Sequence, residues 1–265
     1  MENEQYGSII NNPNGTYETY LSTQYALAGK YYAIFHPSLP NYLALTAGSY
    51  FGFGLNDQDP PIGGLPYSNV ADLLEARGLT WKDYQEQMPH TCDLTDYRAS
   101  AYTAHHDPFV YYTDIQTNAT RCDSDVVSWS QLRYDLNTNN LPNYSFIVPN
   151  DKKNSHDTGA AYGDAFLQSF VPTIVNSKEF ASTALFIVYD EGVNAAGFGS
   201  GQYAAHGGHI VCLLVSPFAK KGYTSINYYD HYNLLATVEA IFNLGNLGRG
   251  DARAVPMSDM FTIPI

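Results

Sequence analysis

The sequence predicts an α/β fold with a central, mostly parallel sheet sandwiched by helices. Four short runs of apolar, β-branched or aromatic residues predict strands, at residues 31–36, 144–149, 184–190 and 210–216. These runs are continuously apolar rather than alternating, which indicates strands that are covered on both faces. Segments with helical periodicity lie between them, and strands that alternate with helices are typical of a parallel sheet.

Five segments are predicted to be helical. The second has the clearest bounds, because Ser68 or Asn69 can cap its first turn and Gly78 can end it. Two long irregular stretches, residues 56–66 and 88–125, predict loops that are functional or held in place by other contacts. The helical segments are residues 16–29, 68–78, 128–136, 163–177 and 230–245.

Length and charge limit the classes of protein to which the chain can belong. With 265 residues and no linker rich in proline and glycine, it is expected to form one domain over residues 1–265. It contains no apolar run long enough to span a bilayer, which favours a soluble protein. The formal net charge of -13 disfavours a nucleic-acid partner, because a polyanion would be repelled.

The cysteines and the composition indicate whether the protein is secreted or cytosolic. Cys92 and Cys122 flank a polar stretch and could form a disulfide, whereas Cys212 lies in an apolar run and is expected to be a buried thiol. Three reduced cysteines in a cytosolic protein are the alternative. The chain has 23 tyrosines but only 13 lysines and arginines, a balance common in secreted proteins. We therefore expect a secreted or extracytoplasmic protein.

Polar side chains lie beside an end of each of the four predicted strands. In open α/β sheets, ligands bind at the carboxyl edge, where parallel strands end. Hydroxyl, carboxylate and imidazole groups would rarely occur at four strand ends merely as ordinary polar surface residues. They therefore predict a functional site. The side chains concerned are those of Ser38, His156, Asp157, Asp190, Glu191 and His209.

The residue types indicate the chemistry of this site. Ser38 is predicted to start a helix, where unpaired backbone N–H groups favour an anion such as phosphate, although it could simply cap that helix. Asp190 and Glu191 follow a buried strand directly, so their carboxylates must be paired or bind a cation. Oxygen ligands suit one divalent ion such as Mg²⁺, Mn²⁺ or Ca²⁺, whereas nearby imidazole would favour zinc or iron.

The histidines allow two interpretations. As cations, His156 and His209 could bind phosphate oxygens or protonate a leaving alkoxide, and His106 could be held over the site by its irregular segment. Ser38, His209 and Asp190 could instead form a serine-hydrolase triad. The serine lacks the G-x-S-x-G elbow, and a triad leaves Glu191 and His156 without roles. The first interpretation is therefore favoured.

Seven ordered segments resemble a known family, the phosphoesterases that include bacterial, archaeal and fungal acid phosphatases and phospholipases C. This family belongs to the alkaline phosphatase superfamily, so the resemblance implies an alkaline-phosphatase-like fold. The family has an apolar strand before its M-E-N motif, so either the first strand is truncated upstream of Met1 or a strand is missing from the centre of the sheet. The segments are MEN, YYAIFHPSLPNYLALTAGS, HHDPFVYYTDI, FIVPND with the following HD, ALFIVYDEG, GGHIVCLLVSP and YYDHYNLLATVEAIF.

The resemblance implies metal-assisted phosphoryl transfer through a phosphoserine. Ser38 matches the nucleophile, which also contacts the metal. The remaining residues match metal-binding, catalytic or substrate-binding positions. Glu2, Asn3, Asp190 and Glu191 correspond to the metal ligands, His156 and His209 to catalytic residues that bind phosphate or assist the leaving group, and His106 to a substrate-binding residue. Asp157 would orient the neighbouring His156 or join the ligands at the site. Asn41 begins the helix whose N–H groups meet the anion, so it too is expected to bind the substrate.

These observations predict a metal-dependent phosphomonoesterase of the acid phosphatase type, with a small phosphate ester as substrate. A phospholipase C or phosphoinositide phosphatase that uses the same site is the nearest alternative, so a membrane lipid is a possible but not favoured partner. The alternative from another class of function is a phosphate-binding module without catalytic activity.

Overall fold

The chain has the predicted α/β architecture. The computed structural model describes residues 1–53, 60, 64–95, 101–193 and 207–265. Most of the first predicted loop and part of the second, residues 56–59, 61–63 and 96–100, lie outside this description. The described α-helices are α1 Tyr6–Ile9, α2 Thr16–Gln24, α3 Ser38–Ala47, α4 Val70–Ala76, α5 Thr113–Gln116, α6 Ala119–Asp125, α7 Trp129–Thr138, α8 Ala160–Val175 and α9 His231–Phe242.

Within the described residues, the strands form one sheet of five strands and one of three. In the smaller sheet, β2 pairs in parallel with both β3 and β4. In the larger sheet, β1 is parallel to β8 but antiparallel to β6 and β7, and β5 is antiparallel to β7. The smaller sheet is thus wholly parallel, as the sequence predicts, whereas the larger sheet is mixed. Its antiparallel neighbours need no crossover helix between them. The strands are β1 Ala26–Tyr32, β2 Trp81–Gln85, β3 Val126–Ser128, β4 Tyr144–Val148, β5 Leu185–Val188, β6 His209–Ile210, β7 Cys212–Val215 and β8 Tyr223–Asp230.

The first strand begins earlier than predicted. β1 starts at Ala26, inside the segment predicted to be the end of a helix, and only its last two residues overlap the predicted strand at residues 31–36. Alanine and leucine have weak strand propensity, but Ala26, Leu27 and Ala28 are buried. All three pair with β8, and Ala26 and Leu27 also pair with β7. Tertiary pairing therefore overrides local propensity here.

Two helix pairs position the ends of the strands. α2 packs against α8, and α3 packs against α9. All ten residues of α3 are buried, so the position of its first residue, Ser38, is fixed by packing along the whole helix. At the next helix, the predicted cap is Asn69, which forms a capping box with Asp72.

An apolar cleft of about 710 Å³ separates β4 from β5. It is lined by both strands and by side chains of α8 and α9, and Met1 and Asp190 lie at one of its boundaries. The cleft therefore borders the edge at which the candidate site residues collect.

The cysteines lie as the sequence predicts. Cys92 and Cys122 form a disulfide with their Cα atoms 5.7 Å apart, which anchors the second irregular segment to α6. Cys212 is a buried thiol in β7. None of the helices in the described ranges is both long and apolar enough to cross a bilayer.

A buried acidic residue on α2 lies behind the strand ends. Glu18 is completely buried, and its Oε2 accepts a hydrogen bond of 3.0 Å from the Tyr189 hydroxyl. No described residue donates to its Oε1. Burial raises the pKa of Glu18 to about 8, although the bond from Tyr189 opposes this shift.

Glu18 should make the protein less stable as the pH rises. In the unfolded chain it loses its proton near its ordinary pKa of 4.5, whereas in the folded protein it keeps the proton up to about pH 8. The free energy of unfolding should therefore fall over this range, by an amount on the order of a few kcal/mol. Urea unfolding between these pH values should show a flatter dependence in Glu18→Gln. Asp123→Asn, at an exposed position, should keep the wild-type slope, and an unchanged slope in Glu18→Gln would contradict the account.

Candidate active site

The first residues of the chain are anchored between the ends of two strands. The Met1 ammonium group donates to the Val188 carbonyl at 3.1 Å, and the Asp190 N–H donates to the Met1 carbonyl at 2.9 Å. The Glu2 N–H donates to the Asn154 carbonyl at 2.7 Å. These bonds hold the Glu2 side chain in a completely buried position at the end of β5.

Ser38 is brought directly to this carboxylate. It is the first residue of α3, it is buried, and its hydroxyl donates to Glu2 Oε2 at 3.1 Å. The first turn of a helix presents backbone N–H groups that have no intrahelical partner, which favours an anion beside Ser38. The structure therefore brings together Ser38 and Glu2, two residues that the family resemblance assigns to the same metal.

Asn41 supports the turn that precedes Ser38. Its amide oxygen accepts from the N–H groups of Ile34 and Phe35 at 2.9 and 3.0 Å, and its amide nitrogen donates to the Phe35 carbonyl at 2.9 Å. The side chain is completely buried. Its contacts are thus with the backbone between β1 and α3, and they correct the expectation that it faces a substrate: Asn41 positions Ser38.

Two carboxylates meet at the centre of the site. Asp190 Oδ1 accepts from the backbone N–H groups of Asn3 at 3.3 Å and Glu191 at 2.6 Å, whereas no described residue donates to the buried Oδ2. Burial, followed by the negative charge of Glu2, raises the pKa of Asp190 well above its ordinary value. The Tyr42 hydroxyl donates to Glu2 Oε1. An acceptor without a donor, beside a second buried carboxylate, is an arrangement that a cation stabilises.

His106 supplies positive charge to this centre. The histidine is buried, with Nδ1 3.0 Å from Asp151 Oδ1 and Nε2 3.5 Å from Glu2 Oε1. Burial alone would lower the pKa of His106, but the charges of Glu2 and Asp151 raise it to about 9. His106 in turn holds the pKa of Asp151 below its ordinary value against the effect of burial. Thr103 also donates to Asp151.

His156 and Asp157 lie at the mouth of the site. Their side chains are about half exposed, and His156 Nδ1 is 2.9 Å from Asp157 Oδ1. The ring centroids of His156 and His106 are 5.7 Å apart. His156 thus lies close to the buried centre and also lines a cavity of about 430 Å³. Other residues that line this cavity are Asn3, Glu4, His36, Ser155, Asp157 and Glu191.

Glu191 faces this cavity with a partner that the sequence analysis did not include. Its Oε2 lies 2.8 Å from His36 Nδ1. Burial raises the pKa of Glu191 to about 7, and the bond to His36 opposes this shift. The carboxylates of the adjacent Asp190 and Glu191 therefore have different surroundings, one facing Glu2 and the other facing the cavity.

The structure does not bring His209 to this cluster. Its ring is stacked between Tyr6 and Tyr32, with centroid distances of 4.3 and 4.9 Å, and its Nε2 lies 3.1 Å from the Gly29 carbonyl. Burial lowers its pKa. These contacts involve none of the other predicted site residues, and they give His209 a packing role at β6. The neighbouring His206 lies outside the described residues.

Sequence reasoning missed Asp151, His36 and Tyr42. Asp151 lies in the loop that begins at the end of β4, so its position near a strand end was a signal that could have identified it. His36 lies just before Ser38 and could have been included on the same ground. Tyr42 gave no such signal, because an aromatic residue inside a helix is most often part of the core.

The donor groups at the centre fit a divalent cation. Within the described ranges, no three His, Cys, Asp or Glu side chains are arranged as a ready metal site. The two adjacent buried carboxylates of Glu2 and Asp190, the unpartnered Asp190 Oδ2 and the Ser38 hydroxyl nevertheless form a set of oxygen donors of the kind that hard cations prefer.

Comparisons with known proteins agree on one family. A model of the Phosphoesterase family matches residues 11–245. The chain is 31% identical over 247 residues to a probable acid phosphatase of Kluyveromyces lactis, covering 89% of this chain and 56% of that protein. It is 28% identical over 260 residues to phosphatidylinositol-3-phosphatase of Mycobacterium tuberculosis, covering 98% of this chain and 80% of that protein. The chain spans about half the length of several curated relatives that it matches.

Solved structures confirm the fold. The chain is similar to a protein of the alkaline phosphatase superfamily from Vibrio parahaemolyticus, with a TM-score of 0.63 and 13% identity. The similarity covers 98% of this chain and 69% of that chain. The alkaline-phosphatase-like architecture expected from the sequence is therefore present.

Replacing Asp151 should change the protonation of His106. Asp151→Asn removes one of the negative charges that raise the pKa of His106, so this pKa should fall from about 9 in metal-free protein. NMR titration of the imidazole resonances measures the change. Asp157→Asn is the matched control, because Asp157 contacts His156 instead, and an unchanged His106 titration in Asp151→Asn would contradict the assignment.

Proposed function

The chain belongs to the Phosphoesterase family, and we propose that it hydrolyses small phosphate monoesters with Ser38 as nucleophile and one divalent metal ion as cofactor. The observation that carries this proposal is the bond between the Ser38 hydroxyl and Glu2, at the start of α3 and beside the partly unsatisfied Asp190 carboxylate. The family and the acid phosphatase relatives support the same class of reaction.

Five residues would hold the metal. Glu2 and Asp190 are the buried carboxylates, Ser38 supplies a hydroxyl, and Asn3 and Glu191 lie beside them and line the cavity. When bound, a divalent ion lowers the pKa of a hydroxyl group and neutralises charge on the phosphate. The ion would also satisfy Asp190 Oδ2 and offset the repulsion between the two carboxylates.

The protein's own residues then carry out two displacement steps. Ser38 Oγ attacks phosphorus while its proton passes to Glu2 Oε2, the bond to the alcohol oxygen breaks, and a phosphoserine forms. His156 at the mouth of the cavity donates a proton to the departing alcohol oxygen, while the His106 imidazolium offsets charge on the phosphate oxygens. Water then attacks the phosphoserine and gives one proton to His156, and Ser38 regains its proton from Glu2 as phosphate is released.

The substrate class follows from the cavity and the charge of the chain. A cavity of about 430 Å³ accommodates a small phosphate ester, and the net charge of -13 disfavours nucleic acid and an anionic bilayer. The disulfide between Cys92 and Cys122 supports a secreted or extracytoplasmic location, where such bonds persist.

A phosphoinositide phosphatase is the second candidate. It is favoured by the similarity to the mycobacterial phosphatidylinositol-3-phosphatase, which extends over 98% of this chain. The three phospholipase C relatives each match a smaller share of this chain, at 68%, 92% and 69%. Phosphate released faster from phosphatidylinositol 3-phosphate in mixed micelles than from a small monoester would favour this second candidate.

Removing the nucleophile should abolish turnover without abolishing metal binding. Ser38→Ala leaves Glu2 and Asp190 in place but removes the attacking oxygen, so nitrophenyl phosphate hydrolysis should fall by at least about a thousandfold. Metal content by elemental analysis should remain close to that of the wild type. Ser22→Ala, whose hydroxyl contacts only the backbone of α2, is the matched control. Near-normal turnover in Ser38→Ala would exclude this nucleophile.

A further inference from the structure

A buried asparagine lies between three parts of the candidate site. Asn154 is completely buried in the segment that joins β4 to α8. Building on the proposed function, we propose that Asn154 is a positioning residue, which fixes His156 and Asp151 relative to Glu2 and thereby sets the catalytic rate. None of its atoms needs to touch the substrate for this role.

Asn154 makes hydrogen bonds to Glu2, His156 and Asp151. Its backbone carbonyl accepts from the Glu2 N–H at 2.7 Å. Its side-chain oxygen accepts from the His156 N–H at 2.8 Å, and its side-chain nitrogen donates to Asp151 Oδ1 at 3.3 Å. Asp151 Oδ1 is also the atom that contacts His106. One side chain therefore connects the exposed histidine with the carboxylate that holds the buried one.

The backbone on either side of Asn154 is arranged to maintain these contacts. Ser155 has a φ of 90°, a conformation that residues with a side chain rarely adopt. The Gly159 N–H donates to the Ser155 carbonyl at 2.8 Å, and the Asn154 N–H donates to the Asn150 carbonyl at 2.9 Å. This turn allows the Asn154 carbonyl to face Glu2 while His156 lines the cavity.

Close packing from α8 restricts the same turn. A Cβ atom at position 163 would lie 2.0 Å from Ser155 Oγ, so Gly163 leaves the space that Ser155 occupies. The turn is thus held in place on one side by its packing against α8 and on the other by the hydrogen bonds of the Asn154 side-chain amide. Loss of the amide would release His156 first, because the His156 N–H is bonded to Asn154 Oδ1 and its side chain is about half exposed.

The expected consequence is kinetic rather than a loss of the metal site. Catalytic groups displaced by about 1 Å can lose about a hundredfold in rate, and residues that orient catalytic groups typically contribute 10- to 100-fold. The contact of Asn154 with Glu2 is made by the backbone, so replacing the side chain leaves that contact in place. The value of kcat should therefore fall while the affinity for the metal changes little.

Two variants separate the two side-chain contacts. Asn154→Ala removes both, together with a longer bond of 3.4 Å from the side-chain nitrogen to the Pro149 carbonyl. It should lower kcat for nitrophenyl phosphate by about 10- to 100-fold, with less than about threefold change in KM or in metal Kd by calorimetry. It should also speed hydrogen exchange of the His156 amide, measured by NMR. Asn154→Asp keeps the acceptor for that amide but places a carboxylate against Asp151. It should therefore restore amide protection while kcat stays at least about tenfold below the wild type.

Asn69→Ala is the matched control for stability. Asn69 is an equally buried asparagine whose side-chain oxygen also accepts from a backbone N–H, but it caps α4. Its variant should lose stability, by about 1 kcal/mol for a helix cap, while the folded protein keeps its kcat and its His156 protection.

Several outcomes would overturn the proposal. A kcat within about twofold of the wild type in Asn154→Ala would do so, as would a parallel loss of metal affinity, which indicates general collapse of the site. Unchanged exchange of the His156 amide would also overturn it. The exchange measurement needs no turnover, so it tests the role of Asn154 even if Ser38→Ala retains activity and the proposed function fails.

Discussion

The burial of two carboxylates against each other is the constraint on which the rest of this site depends. Glu2 and Asp190 are both almost completely excluded from water, and each would repel the other if both were charged without compensation. The surrounding groups are those that offset negative charge: the Ser38 and Tyr42 hydroxyls, the His106 imidazolium and backbone N–H groups. One acceptor, Asp190 Oδ2, still has no donor among the described residues. We propose that a divalent cation completes this set.

The topology explains why residues so distant in sequence form one cluster. Met1 exchanges backbone hydrogen bonds with the residues at and beyond the end of β5, so the segment that follows it passes beside the start of α3 and the loop after β4. Each of these segments supplies only a few functional groups. Each is held in position by a helix or strand that is itself buried in another part of the fold. The loop after β4 supplies Asp151 and His156 from a single turn, which is why the short segment around Asn154 affects several groups together.

Many of the residues in this arrangement can be predicted from the sequence, because the end of a strand is easier to recognise than its start. Ser38, Asp190 and Glu191 follow or lie near the ends of apolar runs, and the structure brings all three to one edge. The start of β1 and the whole of β8 were not predicted, since alanine, serine and asparagine give little strand signal and their pairing is decided by the neighbouring strands.

The parts of the site that the sequence analysis placed wrongly share a physical cause. His209 precedes an apolar run just as the site residues follow theirs, but it lies at the start of β6 and stacks on Tyr6 and Tyr32. Asn41 lies near the nucleophile, and only the hydrogen bonds of the folded chain show that its amide is used by the backbone. Proximity in sequence predicts which residues lie near the site, whereas the direction in which a side chain points depends on tertiary packing.

The central claim, that Glu2 and Asp190 bind a divalent ion, is tested most directly by calorimetric titration of the metal-free protein with Mg²⁺, Mn²⁺, Ca²⁺ and Zn²⁺. The titration should be repeated near neutral pH in two buffers with different ionisation enthalpies. Because burial and the charge of Glu2 raise the pKa of Asp190, a bound ion should displace its proton. The account predicts binding of one ion with net proton release in the wild type, and much weaker binding in Asp190→Asn. Failure of all four ions to bind, or equal affinity in Asp190→Asn, would contradict it.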